Sequence, residues 1–301
     1  LVLRTDTYHP QLDVQLVGFG AEQPCPHAII APGAPPQVAP GEVVSLDGSA
    51  SYGVGASIAT WDWSLEAPPG AVASLTAPVS PSQVVLASDA LGLHTITLMV
   101  TDADGLSACA STQHVVDVLE PKGLSVELWW ETPGDPDPAD TGLGTGTDLD
   151  LHLLHELAVG LDLSGDESFD GWFDKPFDVF WANPNPNWGV VGDPKAGDDP
   201  VLTYDDYDGT GPERIVLENP EPTRPYRVGV HHWDDHGHGP ATAWVRVWWD
   251  GELVHEAGGV LLVEDVLWDV GTLEVGGGWS SPGVEPLVHT GVRKPVTLKA
   301  P

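Results

Sequence analysis

Residues 205–213 read DDYDGTGPE: four acidic side chains and two glycines within nine positions. Upstream, TDLDLHLLH (147–155) spaces Asp148, Asp150 and His152 two residues apart. On a strand, that period sends all three to one face and Leu149, Leu151 and Leu153 to the other. Hard carboxylate oxygens near a Gly-containing loop suit Ca2+, which takes about six to eight oxygen ligands. The candidate metal ligands are therefore Asp148, Asp150, Asp205, Asp206, Asp208 and Glu213. Tyr204 stands where an EF-hand loop would begin with Asp, so the loop is of another kind. Two other readings stay open: a turn held by Asx side chains, or a catalytic carboxylate pair. GDPDPADTG (134–142) leads into the same strand, and its Asp135, Asp137 and Asp140 either join the cage or sit in a solvated loop.

HHWDDHGHG (231–239) gathers four histidines and two aspartates. Zinc is not expected there, because alternation on a strand makes His231 and His232 diverge while His236 and His238 fall in a Gly-rich turn. The alternatives are a polar hairpin loop or a peripheral contact with the Ca2+ site. Eleven of the thirteen tryptophans lie after residue 120, and the adjacent pair Trp129-Trp130 must point to opposite strand faces. Trp181, Trp188 and Trp233, with His231, are candidates for a partner- or sugar-binding surface. The competing expectation is that WANPNPNWG (181–189) folds back and buries them.

The elements that must position these residues are strands. Short alternating segments rich in Val, Thr, Leu and Trp recur about every ten residues, among them SQVVLAS, HTITLMVTD, LSVELWW, ERIVLEN and TAWVRVWWD. Gly (35) and Pro (29) are spread between them, and helical periodicity is nearly absent. The 301 residues suffice for more than one core, and 41% apolar residues exclude wholesale disorder. Forty-five acidic against eleven basic residues, net charge -34, argue against nucleic acid and anionic lipid and suit divalent cations or cationic partners. No apolar run is long enough for a membrane span. The chain opens on LVLRTDTYHP without an initiator Met, as a mature fragment or part of a longer polypeptide would. Cys25 and Cys109 lack zinc spacing and a C-x-x-C motif. A disulfide closing one domain in an oxidising compartment is preferred over two buried thiols, and it would stabilise by roughly 4–5 kcal/mol in the chain-entropy description.

VVSLDGSASYG (43–53), IATWDWSLE (58–66) and LGLHTITLMVTDADGLSA (91–108) together resemble the PKD (polycystic kidney disease) domain family. The resemblance rests on the Trp61-Asp62-Trp63 strand and the closing Val100-Thr101-Asp102-Ala103-Asp104-Gly105 turn. It implies an Ig-like β-sandwich of secreted and surface proteins, stapled by Cys25 and Cys109, that serves as a spacer or interaction module. TDLDLHLLH, DDYDGTGPERIVLENP (205–220) and the run from Tyr226 to Leu253 resemble, in that order, the YfaP-like domain of bacterial secreted and periplasmic proteins. That family implies a β-sandwich and no settled activity. The insert around 160–200 and the Trp-rich last strands depart from its pattern. Residues 1–20 resemble the closing strands of an ASH/Hydin-type Ig-like domain.

The resulting expectation is an all-β chain, almost without helix. Residues 1–22 would close an upstream Ig-like domain, 23–120 would form a PKD-like sandwich, and 121–301 a larger sandwich or jelly-roll-like domain. No nucleophile elbow, P-loop or dinucleotide fingerprint is present, so no enzymatic role is expected. The function expected is structural or adhesive: a Ca2+-stabilised protein of the bacterial extracellular space, cell surface or periplasm, or a subunit of an extracellular filament. Its partners would be other protein subunits or surface glycans, with homo-oligomers forming through edge strands. A carbohydrate-binding accessory module using exposed Trp is the alternative, and a metal-dependent hydrolase a lesser one.

Overall fold

In GLHTITLMVTD every second side chain from His94 onward is buried, and in QVVLAS so are Val84, Leu86 and Ser88. Half-buried strands require this period, and among the described residues there is no α-helix. The computed structural model describes residues 25–292 except 72, 78–79, 121, 139, 141, 143, 164–166, 191, 194–195, 208, 275, 284–286 and 291, together with residues 2–3 and 12–13. Of the segment expected to close an upstream domain, the short ladder of β1 (Val2–Leu3) with β2 (Leu12–Asp13) is described; the rest lies outside the described residues.

Seven strands then form two facing sheets: β3 (Gln37–Val38), β4 (Val44–Asp47), β5 (Ile58–Glu66), β6 (Ala73–Thr76), β7 (Gln83–Ser88), β8 (Gly92–Asp102) and β9 (Thr112–Val118). The sheet orders are β3-β9-β8-β5 and β4-β7-β6. Val44, Leu46, Val84 and Leu86 from one sheet meet Ile96, Val116 and Val118 from the other. Trp61 and Trp63 share the inward face of β5 and donate their indole N–H groups to the carbonyls of Gly48 (3.0 Å) and Pro81 (3.2 Å). Cys25 and Cys109 form a disulfide with a Cα–Cα distance of 5.7 Å. Cys109 lies in the loop before β9, just outside the last strand.

The second pair of sheets holds β10 (Leu124–Glu131), β11 (Asp148–His155), β12 (Asp178–Val179), β13 (Val201–Tyr204), β14 (Glu213–Leu217), β15 (Tyr226–Asp234), β16 (Ala241–Trp249), β17 (Glu252–Leu262), β18 (Val266–Leu273), β19 (Trp279–Ser280) and β20 (Leu287–Thr290). Their orders are β13-β14-β10-β16-β17 and β12-β11-β15-β18-β19, with β20 also pairing β18. Leu124, Val126, Leu128 and Trp130 of β10 meet Leu149, Leu151 and Leu153 of β11 in the core between them. The fold class is all-β, as the period-two segments require. β15 and β16 belong to different sheets, so residues 235–240 cross the end of the sandwich and do not close a hairpin.

β10 and β14 are buried on both faces. Their outward side chains, with those of β16, pack against the first sandwich. Trp248 joins its apolar cluster. Trp129 stacks on Trp244 at 6.0 Å, under the Arg246 guanidinium at 4.0 Å. Gly70, at φ +76°, presses so closely that a Cβ there would lie 2.4 Å from Trp129 Cγ. The cover over the outward member of the Trp129-Trp130 pair is thus a neighbouring sandwich, not the insert. Polar contacts seal the joint. Leu91 N–H donates to Glu127 Oε2 (3.2 Å), Arg214 to the Asp89 carbonyl, and Arg246 to the Pro69 carbonyl (3.5 Å).

Glu127 is 1% exposed. Burial raises its carboxyl from an ordinary 4.5 to about 7, against the opposing pull of Leu91 N–H, Arg214 and Arg246. A carboxyl that holds its proton more tightly when folded stabilises below its unfolded value, and that stabilisation is lost as pH rises through the folded one. The difference corresponds to roughly 3 kcal/mol. Thermal unfolding followed from pH 4.5 to 7 should therefore show wild type losing more stability than Glu127→Gln. Equal slopes would mean that Glu127 takes up no proton on folding.

Candidate metal centre

The D-L-D-L-H stretch is fixed by its leucines. Leu149, Leu151 and Leu153 fill the core, so Asp148, Asp150 and His152 turn to the outer face of β11. Among the described residues β12 pairs with β11 only at Leu153 and Leu154, so the first half of that edge meets no strand there. Glu213, the first residue of β14 in the opposite sheet, reaches this edge. Its Oε2 accepts from Leu151 N–H at 2.6 Å, while its Oε1 is buried without a hydrogen-bond partner. One oxygen each from Asp148, Asp150 and Glu213 lie within 4.8 Å of one another.

Charge is crowded here. Glu213 is 1% exposed. Its carboxyl is pushed well above the ordinary carboxylate range, first by burial and then by repulsion from Asp150, Asp205 and Asp148. Among the described residues, the contact favouring its charged form is Leu151 N–H. Asp205 stands exposed at the rim, and its carboxyl adds to the charge around Glu213. His231 Nδ1 lies 3.7 Å from Asp150 Oδ2, and the other ring nitrogen of His231 is 3.2 Å from the Val292 carbonyl. A carboxylate-rich, partly buried corner of this kind can be neutralised by protons or by a hard cation.

Four of the six sequence candidates, Asp148, Asp150, Asp205 and Glu213, come together. Asp206 does not join them: its Oδ2 accepts Gly211 N–H at 2.7 Å and closes its own loop. Asp208 lies outside the described residues. Asp135 faces His238 at 4.0 Å rather than the triad. His236 contacts the Gly146 carbonyl at 2.8 Å, and His232 is buried within β15. The histidines of 231–238 are therefore dispersed.

No family model matches the chain, and no curated protein sequence matches it. Among solved structures, a carbohydrate-binding module of the β-sandwich superfamily aligns with 75% of this chain and 97% of its own, at 13% identity and a TM-score of 0.26. So loose a superposition carries no argument about fold or ligand.

The candidate binding surface at Trp181, Trp188, Trp233 and His231 is corrected by the packing. Trp188, Trp233 and His231 are buried and Trp181 is half-buried. Trp188 fills the end of the core and stacks on Tyr226 at 6.1 Å, and Trp181 meets Trp233 edge-on at 4.9 Å. The insert folds over the outer face of β11 and β15, because a face carrying His152, His231 and Trp233 beside Phe180 has apolar area to bury. Sequence reasoning passed over Asp178 in that insert. It holds His152 Nδ1 at 2.8 Å and also accepts Phe173 N–H at 2.7 Å. Burial raises its carboxyl above the ordinary value. The signal available was the third member of D-x-D-x-H, a histidine whose face needed an acceptor. At 0% exposure, with Phe180 stacked on its ring at 5.0 Å and Phe173 edge-on at 4.9 Å, His152 acts as a strut under the insert.

Trp172 seats against Gly229, where a Cβ would fall 2.5 Å from its ring. Gly229→Ala should therefore displace Trp172 and cost about 1–3 kcal/mol, as overpacking does. The near-UV circular dichroism of the aromatic layer and the denaturation midpoint read this out, and an unchanged pair of measurements would show the lid to be loosely seated.

Proposed function

We propose that this chain is a non-catalytic structural module of an extracellular, cell-surface or periplasmic protein, whose second sandwich is tied together by Ca2+. The observation that carries the reading is Glu213 Oε1, a buried carboxylate oxygen without a hydrogen-bond partner, facing Asp148 and Asp150. Asp148, Asp150 and Glu213 would hold the ion, with Asp205 at the rim. All are hard oxygen donors, the set Ca2+ prefers. An ion there would join β11 of one sheet to β14 of the other and offset the repulsion among the three carboxylates. The Cys25–Cys109 disulfide fits an oxidising compartment. No helix among the described residues is long and apolar enough to cross a membrane. The resemblances to PKD-like and YfaP-like domains agree with a spacer or adhesive role. Assembly through edge strands belongs to the same reading: β13 and β17 are the edges of the five-stranded sheet.

Chelator-treated protein titrated with Ca2+ tests this. Saturation at about a hundred times the dissociation constant adds roughly 2.7 kcal/mol, read as a rise in melting temperature. Glu213→Gln keeps the acceptor for Leu151 N–H but removes a charge. It should melt higher than wild type in chelator, because repulsion is relieved, and should lose most of the response to Ca2+. A wild-type melting temperature indifferent to millimolar Ca2+ would overturn the reading.

A further inference from the structure

A second acidic feature lies apart from the metal centre. A pocket of about 300 Å3 opens where Glu120, just past the first sandwich, meets the 196–199 loop and the outward face of β13 and β14. Three carboxylates line it: Glu120, Asp199 and Glu218. Val201, Val216 and Thr203 supply the walls between them. Asp199 is 6% exposed. Its Oδ1 accepts Trp188 N–H at 2.6 Å, and its Oδ2 is buried without a hydrogen-bond partner. A buried anionic oxygen in that condition is costly unless a donor arrives from outside.

Arg214, the neighbouring base, is engaged by the Asp89 carbonyl and by Thr203 Oγ1 at 3.3 Å. Among the described residues no Lys or Arg forms an ion pair with Glu120, Asp199 or Glu218. These carboxylates also differ from the triad in geometry. The described residues place one set of metal-ligating oxygens within 4.8 Å of one another, and it is Asp148, Asp150 and Glu213. A spread of acids around apolar walls suits an extended cation with an alkyl stem, not a point charge. Guanidinium offers five N–H donors in a planar fork, and its methylene stem packs on valine.

We infer that this pocket receives an arginine side chain of a partner protein. Asp199 would accept from the guanidinium at the buried end, while Glu120 and Glu218 would surround it with negative charge and speed encounter. The inference is independent of the cation at Glu213, and the two can fail separately.

The test titrates Nα-acetyl-arginine amide into the full isotope-labelled chain at low salt, following the amide resonances of Trp188, Asp199 and Thr203. Saturable shifts confined to these residues are expected. Asp199→Asn, which retains the acceptor for Trp188 N–H, should weaken binding about tenfold or more, and Glu218→Gln, at an exposed position, should weaken it less. The neutral isostere Nα-acetyl-citrulline amide should leave the resonances in place. The inference is overturned if citrulline binds equally, if Asp199→Asn binds as wild type does, or if Ca2+ alone reproduces the shifts. Binding seen only in Lys195→Gln would also overturn it, by making the chain's own lysine the occupant.

Discussion

Consecutive residues of a strand point to opposite faces, and in β14 both faces are buried. Glu213 therefore turns toward β11 and the acidic triad while Arg214 turns toward the first sandwich and the Asp89 carbonyl. The same pleat in β10 sends Trp130 into the core and Trp129 into the joint with Gly70. On both strands the side chain facing the acidic triad or the core and the one facing the joint are thus neighbours in sequence. Trp130 N–H accentuates this by holding the Thr210 carbonyl at 2.9 Å, inside the acidic loop, while its indole N–H holds Thr147 beside Asp148 at 3.0 Å. Alternation on two central strands thus fixes the triad, the core and the inter-sandwich contact together.

Two buried glutamates show how differently the fold treats charge. Glu127 sits between Leu91 N–H and Arg246, 3.9 Å away, so its ionised form has donors waiting. Glu213 has a backbone donor and three acidic neighbours. Coulomb repulsion at such separations is worth several kcal/mol in a poorly solvated site, which a chain already at net charge -34 is badly placed to absorb. At the joint the chain supplies donors that partly offset the burial of Glu127; at the triad the neighbours of Glu213 are mostly acids that add to it.

The strands and the leucine face of β11 were legible because period two is a local property: QVVLAS, TITLMV and LDLHLL each state their own burial pattern. Convergence of Asp148 and Asp150 with Glu213 was legible because a strand motif and a Gly-rich acidic loop are chemically matched at a distance. Asp206 is used locally. An aspartate five residues before a glycine can serve either an ion or the loop's own N–H, and Gly211 N–H took it. The tryptophans could not be assigned from sequence, since alternation says that Trp129 leaves its core but not what it meets. Trp188 and Trp233 needed the path of the insert, which depends on His152 finding Asp178 twenty-six residues away.

The insert and the first sandwich perform the same physical task on opposite sides of the second sandwich. One covers the outer face of the six-stranded sheet with Trp172, Phe173 and Phe180; the other covers the outer face of the five-stranded sheet at Trp129, Trp244 and Trp248. Each cover is pinned by a buried carboxylate, Asp178 under the lid and Glu127 at the joint. Tryptophan enrichment after residue 120 is therefore a consequence of layering: a sandwich clothed on both outer faces needs large apolar side chains pointing both ways. A sandwich with bare polar outer faces would alternate Trp with Thr or Lys. This one alternates Trp with Leu, Val and a few buried charges, and exposed acids such as Asp137, Asp140 and Asp205 are left to the loops.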